Sequence, residues 1–296
     1  MTFDLEHYFK ECQTLVNEAL DSHLPKKESF PAKVHEAMRY SIFAGGKRIR
    51  PILCMAASEA CGGGRREVLS VACALEMIHT FSLIHDDLPA MDDDNLRRGR
   101  PTNHKVFGEA VAILAGDALL SQAFLALGKL KDSMRDQKRV LEIIYHIAGA
   151  TGSRGMVGGQ VLDMEAQGKK IDLPELRRLH QMKTGRLITA SVVGGALMAG
   201  TSDQKLAGIE SYGEAVGLAF QIADDILDIE GGSDLGKDIG SDRENEKATY
   251  PSVMGIKKAR EAAQVTKEEA LGSLREFGPE ADALRAIAEF IVERKK

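Results

Sequence analysis

The residues best suited to chemistry follow an apolar helical pattern that begins near Glu76. Five carboxylates end that pattern, and three arginines follow at once: Asp86, Asp87, Asp92, Asp93, Asp94, Arg97, Arg98 and Arg100. Carboxylates crowded at the C-terminal end of a helix repel one another and oppose the helix dipole unless a cation neutralises them. Oxygen ligands in this number favour Mg²⁺, which binds one or two carboxylates together with substrate phosphates, and guanidinium groups match phosphate oxygens. The stretch therefore predicts a site for a Mg²⁺-bound diphosphate.

A second acidic cluster, Asp224, Asp225 and Asp228, lies inside a later helical pattern. The i, i+4 spacing places Asp224 and Asp228 on one face of a helix, with Asp225 about 100° round its axis. By itself this short pattern fits a solvated acidic face equally well, although apolar residues surround it. Because each cluster ends an apolar helix, we expect the two to face each other and to hold one diphosphate through several Mg²⁺ ions.

Composition limits the other possible partners. The net charge of −5 over 296 residues gives no general attraction to nucleic acid or to anionic membranes. The N-terminus has no secretory signal pattern, and the most apolar segment, Leu187 to Gly200, is too short to span a bilayer. The four cysteines show no CxxC spacing, which is typical of free thiols in a reducing compartment. These features predict a cytoplasmic protein without stable membrane insertion.

The elements that must position the two clusters are helices. Apolar residues recur at helical spacing in nearly every segment, and no run of apolar and polar residues alternates convincingly as in a strand. The predicted helices are Leu5–Leu24, Pro31 to Gly45-Gly46, Pro51–Cys61, Glu67–Asp87, His104–Leu130, Asp136–Thr151, Pro174–Ala199, Asp203–Ile229, Ala259–Phe277 and Pro279–Lys295. Residues 88–103 read as a loop, 152–159 as a loosened connection, and the polar stretch 231–249 as a mobile flap. No linker or repeat divides the chain, which favours one all-α domain over residues 1–296.

Several motifs, in this order along the chain, resemble those of the trans-isoprenyl diphosphate synthases. They are GGKRIRP at 45–51, DDxxxxD at 86–92 followed by RRG at 97–99, GQVLD at 159–163, KTG at 183–185, FQIADDILD at 220–228 and KATYP at 247–251. Within that family the chain looks most like the bacterial farnesyl diphosphate synthases and the related geranylgeranyl enzymes. The resemblance implies a large helical bundle around a central apolar cavity, two to three Mg²⁺ ions per site and a homodimer.

The resemblance also implies roles for individual residues. The Mg²⁺ ligands would be Asp86, Asp92 and Asp224, with Asp87, Asp225 and Asp228 near the ions. The allylic diphosphate would be held by Arg97, Lys183, Thr184, Gln221 and Lys237, and isopentenyl diphosphate by Lys47, Arg50, His79 and Arg98. On the residues alone, Lys47, Arg48 and Arg50 follow two glycines, as suits a phosphate-binding turn. His79 alone, by contrast, would more often be a core histidine.

The reaction implied by this resemblance is the condensation of isopentenyl diphosphate with dimethylallyl and then geranyl diphosphate. Three Mg²⁺ ions with Arg97, Lys183 and Lys237 would stabilise the departing diphosphate, and the double bond of isopentenyl diphosphate would attack the allylic cation. A proton would then pass to the released diphosphate. Water must be excluded from this cation, which is a reason for an apolar cavity and a closing flap.

Phe81, five residues before the first motif, bears on the length of the product. In the resembled family an aromatic residue at this position limits the product to fifteen carbons, whereas a smaller residue accompanies twenty. Phe81 therefore predicts farnesyl diphosphate, with geranylgeranyl diphosphate as the alternative product. If Phe81 merely packs in the core, the limit must lie elsewhere.

Three other kinds of protein remain open from the sequence. A terpene cyclase also ionises a diphosphate, but it gives no reason for a second diphosphate site at GGKRIRP and Arg98. A non-catalytic subunit with a synthase-like fold would be expected to lack one acidic cluster, and both are present. A Mg²⁺- or Ca²⁺-binding module would need neither the arginines nor the lysines.

Overall fold

The structure is a computed structural model that describes residues 3–134, 136–230 and 248–294. Its α-helices are α1 (Leu5–His23), α2 (Ala32–Ile42), α3 (Ile49–Ala60), α4 (Leu69–Asp86), α5 (Asn103–Phe107), α6 (Glu109–Gly128), α7 (Leu130–Ser133), α8 (Gln137–Thr151), α9 (Met156–Ala166), α10 (Leu173–His180), α11 (Arg186–Ala199), α12 (Asp203–Glu230), α13 (Tyr250–Met254), α14 (Ile256–Ser273) and α15 (Asp282–Glu293). Two antiparallel strands of two residues each, β1 (Leu96–Arg97) and β2 (Arg100–Pro101), form a hairpin. The predicted all-α class is confirmed.

Two long predicted helices are interrupted in the structure. The predicted helix 104–130 is divided by Gly108, whose φ of 83° is a left-handed conformation that glycine adopts without a steric penalty. The predicted helix 174–199 contains a five-residue π-helix, Gln181–Gly185, between α10 and α11. The helix α9 lies partly in the segment that the glycines had marked as a loosened connection. The predicted flap 231–249 falls almost entirely on residues 231–247, outside the described residues.

The helix that carries the first acidic cluster, α4, is the centre of the main core. Most of its side chains are buried, and it packs against α1, α3, α6 and α11. Helices α3 and α11 also approach very closely, because a Cβ at Gly195 would overlap the carbonyl oxygen of Cys54. A helix packed on all sides holds its C-terminal end in a fixed place. The carboxylates at the end of α4 are positioned in this way.

A smaller core joins the second acidic cluster to the last part of the chain. Leu176 of α10, Leu218 and Ile222 of α12 and Tyr250 of α13 are buried together with residues of α14. This core sets the C-terminal part of α12 against α13 and α14. The single-domain organisation over residues 1–296 stays a prediction.

One segment of the described chain, Glu109–Asp132, is long and apolar enough to cross a membrane by length and composition. Its mean hydropathy is 1.8, and 39% of the tested window is buried. Core helices of soluble proteins meet the same criterion. The stretch predicted to be most apolar, 187–200, is occupied by α11 and is almost wholly buried.

Candidate active site

A cavity of about 780 Å³ lies where the end of α4, the C-terminal part of α12, the turn 45–50, the π-helix and α9 meet. It is lined by most of the predicted site residues: Lys47, Arg50, His79, Phe81, Asp86, Asp92, Arg97, Arg98, Lys183, Thr184, Gln221, Asp224, Asp225 and Asp228. Of the other two predicted residues, Asp87 does not line it and Lys237 lies outside the described residues. Residues about 140 positions apart in the chain thus share one cavity. Their individual roles stay predictions.

The first acidic cluster is drawn together by a backbone bend. The helix α4 ends at Asp86, and the chain folds back so that the Asp92 N–H donates to the Asp86 carbonyl at 2.9 Å. Burial raises the pKa of Asp86 to about 6; the Lys183 ammonium opposes that rise and the Asp92 carboxylate adds to it. A bound cation stabilises the charged form of such a buried carboxylate strongly.

Asp87, next in the chain, has a different environment. Its side chain is 3% exposed, and its Oδ1 accepts a hydrogen bond from Arg97 Nε at 2.6 Å. Arg97 Nη2 lies 3.0 Å from Asp94 Oδ2 on the other side. Burial opposes the charge on Arg97, but the Asp87 carboxylate outweighs it and raises the pKa of the guanidinium. Asp87 thus holds Arg97 in place and does not face the cavity.

The second cluster belongs to a chain of hydrogen bonds that runs from the π-helix to α13. Thr184 Oγ1 donates to Gln221 Oε1 at 2.8 Å, and Gln221 Nε2 donates to Asp225 Oδ1 at 3.0 Å. The other oxygen of Asp225 accepts from the Tyr250 N–H at 2.8 Å. Because Asp225 is 3% exposed, these contacts compensate the loss of solvent around its charge. Thr184 and Gln221 are thereby ordered without a ligand.

Lys183 is presented to the cavity by the π-helix. Its Nζ lies 2.5 Å from Asp163 Oδ2 of α9, and the two helical segments touch because Gly159 has no Cβ to overlap the Lys183 backbone. Single-turn π-helical segments are frequent at functional sites. The motif that contains Asp163 therefore orients Lys183.

The cavity is also lined by a cationic wall, defined here as Lys47, Arg50 and Arg98. The buried Arg50 Nε has no hydrogen-bond partner among the described residues, and burial lowers the pKa of Arg50 to about 10. Burial also holds the pKa of His79 well below its ordinary value, and the neighbouring arginines, led by Arg50 and Arg98, act in the same direction. His79 is consequently neutral at pH 7.

Arg48, which the turn pattern had grouped with Lys47 and Arg50, does not line the cavity. It is 4% exposed and forms an ion pair with Glu76. The physical reason is its left-handed backbone, with a φ of 56°, which turns the side chain away from the direction of its neighbours.

Phe81 lines the cavity and packs edge-on against His85, with ring centroids 4.9 Å apart. His85 Nε2 lies 3.1 Å from the Ile113 carbonyl oxygen, and the ring fits only because Gly116 carries no side chain. The sequence alone indicates no catalytic role for His85. It lines the cavity and supports the ring of Phe81.

Other cavity residues were missed from the sequence. Arg294, near the end of the chain, forms an ion pair with Asp224, and its guanidinium carbon lies 4.4 Å from the Phe220 ring centroid. Nothing in its local pattern indicated this. The apolar face of α9 also lines the cavity, through Met156, Val157, Val161 and Met164. The spacing of Val157, Val161 and Met164 (i, i+4, i+7) is a helical signal that the neighbouring glycines obscured.

This arrangement suits an amphiphilic anion. One part of the cavity carries carboxylates and cations, and another is formed by apolar side chains that include Phe81, Leu83, Met91 and the α9 face. A diphosphate linked to a hydrocarbon chain would match both parts.

Comparison with known proteins gives consistent matches over nearly the whole chain. Residues 31–289 match the polyprenyl synthetase family. The farnesyl diphosphate synthase of Geobacillus stearothermophilus is 46% identical, over 98% of this chain and 98% of the relative. The large subunit 1 of the chloroplastic heterodimeric geranylgeranyl pyrophosphate synthase of Arabidopsis thaliana is 47% identical, over 99% of this chain and 80% of the relative.

Among solved structures, the apo crystal structure of an FPP/GFPP synthase from Zymomonas mobilis superposes with a TM-score of 0.87 at 40% identity. The match covers 97% of this chain and 98% of that one. Agreement in sequence and in fold over this length is far beyond what shared helical architecture alone produces. The chain belongs to the polyprenyl synthetase family.

Proposed function

We propose that this protein is a prenyltransferase that condenses isopentenyl diphosphate with dimethylallyl and then geranyl diphosphate to form farnesyl diphosphate. The observation that carries the proposal is the shared cavity, which brings both acidic clusters, two sets of cations and an apolar lining together. One set, Arg97 and Lys183, lies beside the carboxylates. The other set contains Lys47, Arg50 and Arg98. Two separate cationic groups suit two diphosphates.

The donor chemistry fits Mg²⁺. Asp86, Asp92 and Asp224 supply hard carboxylate oxygens to the cavity, and these three would hold the ions. Within the described ranges, no group of three or more acidic, histidine or cysteine side chains is close enough to hold an ion by itself. In our proposal the substrate diphosphate therefore completes the coordination, as Mg²⁺ sites commonly require. Bound Mg²⁺ would neutralise the charge that develops on the leaving diphosphate.

The residues of the chain bind and orient the two substrates. Arg97, Lys183, Thr184 and Gln221, with Lys237, hold the allylic diphosphate, and Lys47, Arg50, His79 and Arg98 hold isopentenyl diphosphate. The carbon–oxygen bond of the allylic substrate breaks, and the double bond of isopentenyl diphosphate forms the new carbon–carbon bond. The proton lost afterwards passes to the released diphosphate, so no protein base is required. The apolar lining excludes water from the cation.

Phe81 supports a fifteen-carbon product. The identities of the relatives do not distinguish product lengths, because relatives named for farnesyl and for geranylgeranyl products are almost equally similar. Phe81 lines the cavity, is 8% exposed and packs against His85. In our proposal its ring ends the apolar part of the cavity. A twenty-carbon product is the alternative.

The proposal is tested by incubating the protein with isopentenyl diphosphate, dimethylallyl diphosphate and Mg²⁺ and identifying the products by chromatography. We expect farnesyl diphosphate from the parent and longer products from Phe81→Ala, because the cavity is deepened. Unchanged chain length in that variant would show that Phe81 is not the floor. A parallel incubation with farnesyl diphosphate alone should leave it unconsumed; its conversion to a cyclic hydrocarbon would indicate a terpene cyclase instead.

We further propose a cytoplasmic homodimer. Exposed apolar side chains on the neighbouring helices α6 and α8 support a self-associating face: Ile113, Leu114, Leu125, Leu141 and Tyr145. Apolar residues grouped in this way commonly mark a protein interface. An interface here would also account for the low burial of the apolar segment 109–132.

A further inference from the structure

The Glu76 carboxylate is a buried charge that has no role in the site as described so far. Glu76 lies in α4, is 1% exposed, and its Oε1 accepts a hydrogen bond from Arg48 Nη1 at 2.6 Å. A buried ion pair is weak evidence for stability, because apolar residues of similar volume often serve a core equally well. Stability alone therefore does not explain why a charged pair lies at this place.

Arg48 connects three parts of the protein. Besides Glu76, its Nη2 donates to the Ile42 carbonyl oxygen at 2.6 Å, and its Nε donates to Asn17 Oδ1 at 3.1 Å. Ile42 is the last residue of α2, so Arg48 satisfies a carbonyl at the end of that helix. The backbone of Arg48 is left-handed and immediately precedes α3. Its side chain thus fixes the turn 45–48 to α1, α2 and α4 at once.

Two cations close to Arg48 in the chain, Lys47 and Arg50, face the cavity instead. Arg98 also lines it and reaches the same turn by donating to the Gly45 carbonyl oxygen. A Cβ on Gly46 would lie 2.5 Å from the Arg98 guanidinium carbon, so the contact between turn and arginine is close. The positive charges of the cationic wall, Lys47, Arg50 and Arg98, are therefore close to one another.

The charge of Glu76 acts on this wall as well as on Arg48. Burial lowers the pKa of Arg50 and of Arg98, and for both of them the Glu76 carboxylate opposes that effect. A carboxylate behind the wall also reduces the repulsion between the cations before any anion has bound. This is preorganisation: the binding groups need not be assembled by the ligand itself.

We propose that the Arg48–Glu76 pair is the positioning element of the second diphosphate subsite. It holds the turn 45–48 and the start of α3 so that Lys47 and Arg50, with Arg98, meet isopentenyl diphosphate. The inference rests on the proposed function, since it takes these cations to be the ligands of that substrate. Neither Arg48 nor Glu76 touches the substrate in this arrangement. Both act through their neighbours.

The test is the double variant Arg48→Met/Glu76→Leu, which removes both charges and leaves neither one buried alone. We expect the KM for isopentenyl diphosphate to rise about tenfold, as at the lower end of the range for residues that orient metal ligands. The KM for dimethylallyl diphosphate should stay within about twofold of the parent, because Arg97 and Lys183 keep their carboxylate partners. A merely structural pair would change both KM values together, and that outcome would overturn the proposal.

A matched control is Arg65→Met, which removes another arginine with two carboxylate partners. Arg65 lies 2.5 Å from Glu59 and 2.9 Å from Glu11, and none of the three lines the cavity. Both KM values should be unchanged in this variant. If Arg65→Met raises the KM for isopentenyl diphosphate as much as the double variant does, the effect does not come from the Arg48–Glu76 pair.

Lys47→Ala separates failure of this inference from failure of the proposed function. If Lys47→Ala leaves the KM for isopentenyl diphosphate unchanged, the assignment of the subsite itself is wrong. If Lys47→Ala raises it and the double variant does not, only the positioning role is wrong. Should the double variant not fold, Arg48→Lys decides: a lysine keeps the charge but loses the fork that reaches Ile42. We expect about a fivefold rise in the same KM, as for the loss of one hydrogen bond, and no rise would overturn the proposal.

Discussion

The second aspartates of the two Asp-Asp pairs, Asp87 and Asp225, are equally buried but are stabilised in different ways. Asp87 accepts a hydrogen bond from the Arg97 guanidinium, so a full positive charge compensates it. Asp225 accepts hydrogen bonds from the Gln221 amide and the Tyr250 N–H, which are neutral dipoles. Within the described residues, the second aspartate is therefore bound by a guanidinium at one side of the cavity and by an amide and a backbone N–H at the other.

The difference shows that the second aspartate of each pair is held by hydrogen bonds from other residues of the protein. The first members, Asp86 and Asp224, line the cavity, whereas Asp87 orients an arginine and Asp225 orders Gln221. Asp225 borders the cavity too, but both of its oxygens already accept hydrogen bonds. Mutations of first and second members should accordingly have different kinds of effect.

The largest effect is expected from removing the first members. Asp86→Ala and Asp224→Ala should each lower kcat by at least about a hundredfold, because the charge that develops on the leaving diphosphate loses its stabilisation. Circular dichroism of both variants, and thermal unfolding of Asp86→Ala, should remain close to those of the parent. Asp224→Ala also removes the ion-pair partner of Arg294, so its thermal unfolding is not a test of the site. Glu210→Ala, at an exposed position on the same helix as Asp224, is the control and should be fully active. Near-normal turnover in either aspartate variant would contradict the proposed metal site.

An intermediate effect is expected on the free energy of unfolding when Asp87 or Asp225 is replaced, and it should differ between the two. Asp87→Asn removes the carboxylate that pairs most closely with the buried Arg97 guanidinium, and we expect a loss of about 3 kcal/mol in the free energy of unfolding. Asp225→Asn keeps an acceptor for the Tyr250 N–H and should lose about 1 kcal/mol. Urea unfolding of metal-free protein measures both. Equal losses would mean that the two environments are energetically alike, contrary to the comparison.

The smallest effect concerns pH, through the histidine beside the second pair. His180 Nε2 lies 4.0 Å from Asp225 Oδ2, and burial lowers the pKa of His180 to about 4. Between pH 6.5 and pH 4 the unfolded chain therefore binds a proton that the folded protein does not, so stability should fall as the pH is lowered through this range. Melting temperatures of the parent and of His180→Gln, measured from pH 7 to pH 4.5, check this. The variant should lose less stability on acidification. If the melting temperatures of both proteins fall equally with pH, His180 is not the cause of the acid sensitivity.

Local patterns were sufficient to identify the residue types of the site. The acidic clusters at Asp86 and Asp224 were found from charge and helical spacing, and the structure places both at one cavity. Periodicity also predicted the long helices, although Gly108 and the π-helix at 181–185 interrupt two of them. The π-helix could not be predicted, since it depends on the approach of Gly159 to Lys183 from another helix.

What the sequence determined by itself was the all-α fold and which segments bring carboxylates and cations, because helical periodicity and charge are properties of neighbouring residues. Only the tertiary structure decided which side chain of each neighbouring set faces the cavity. Lys47 does and Arg48 does not; Asp86 does and Asp87 does not. Arg294 joins them from the far end of the chain. Each of these outcomes depends on a backbone angle at a helix end or on a partner many residues away, which no local pattern contains.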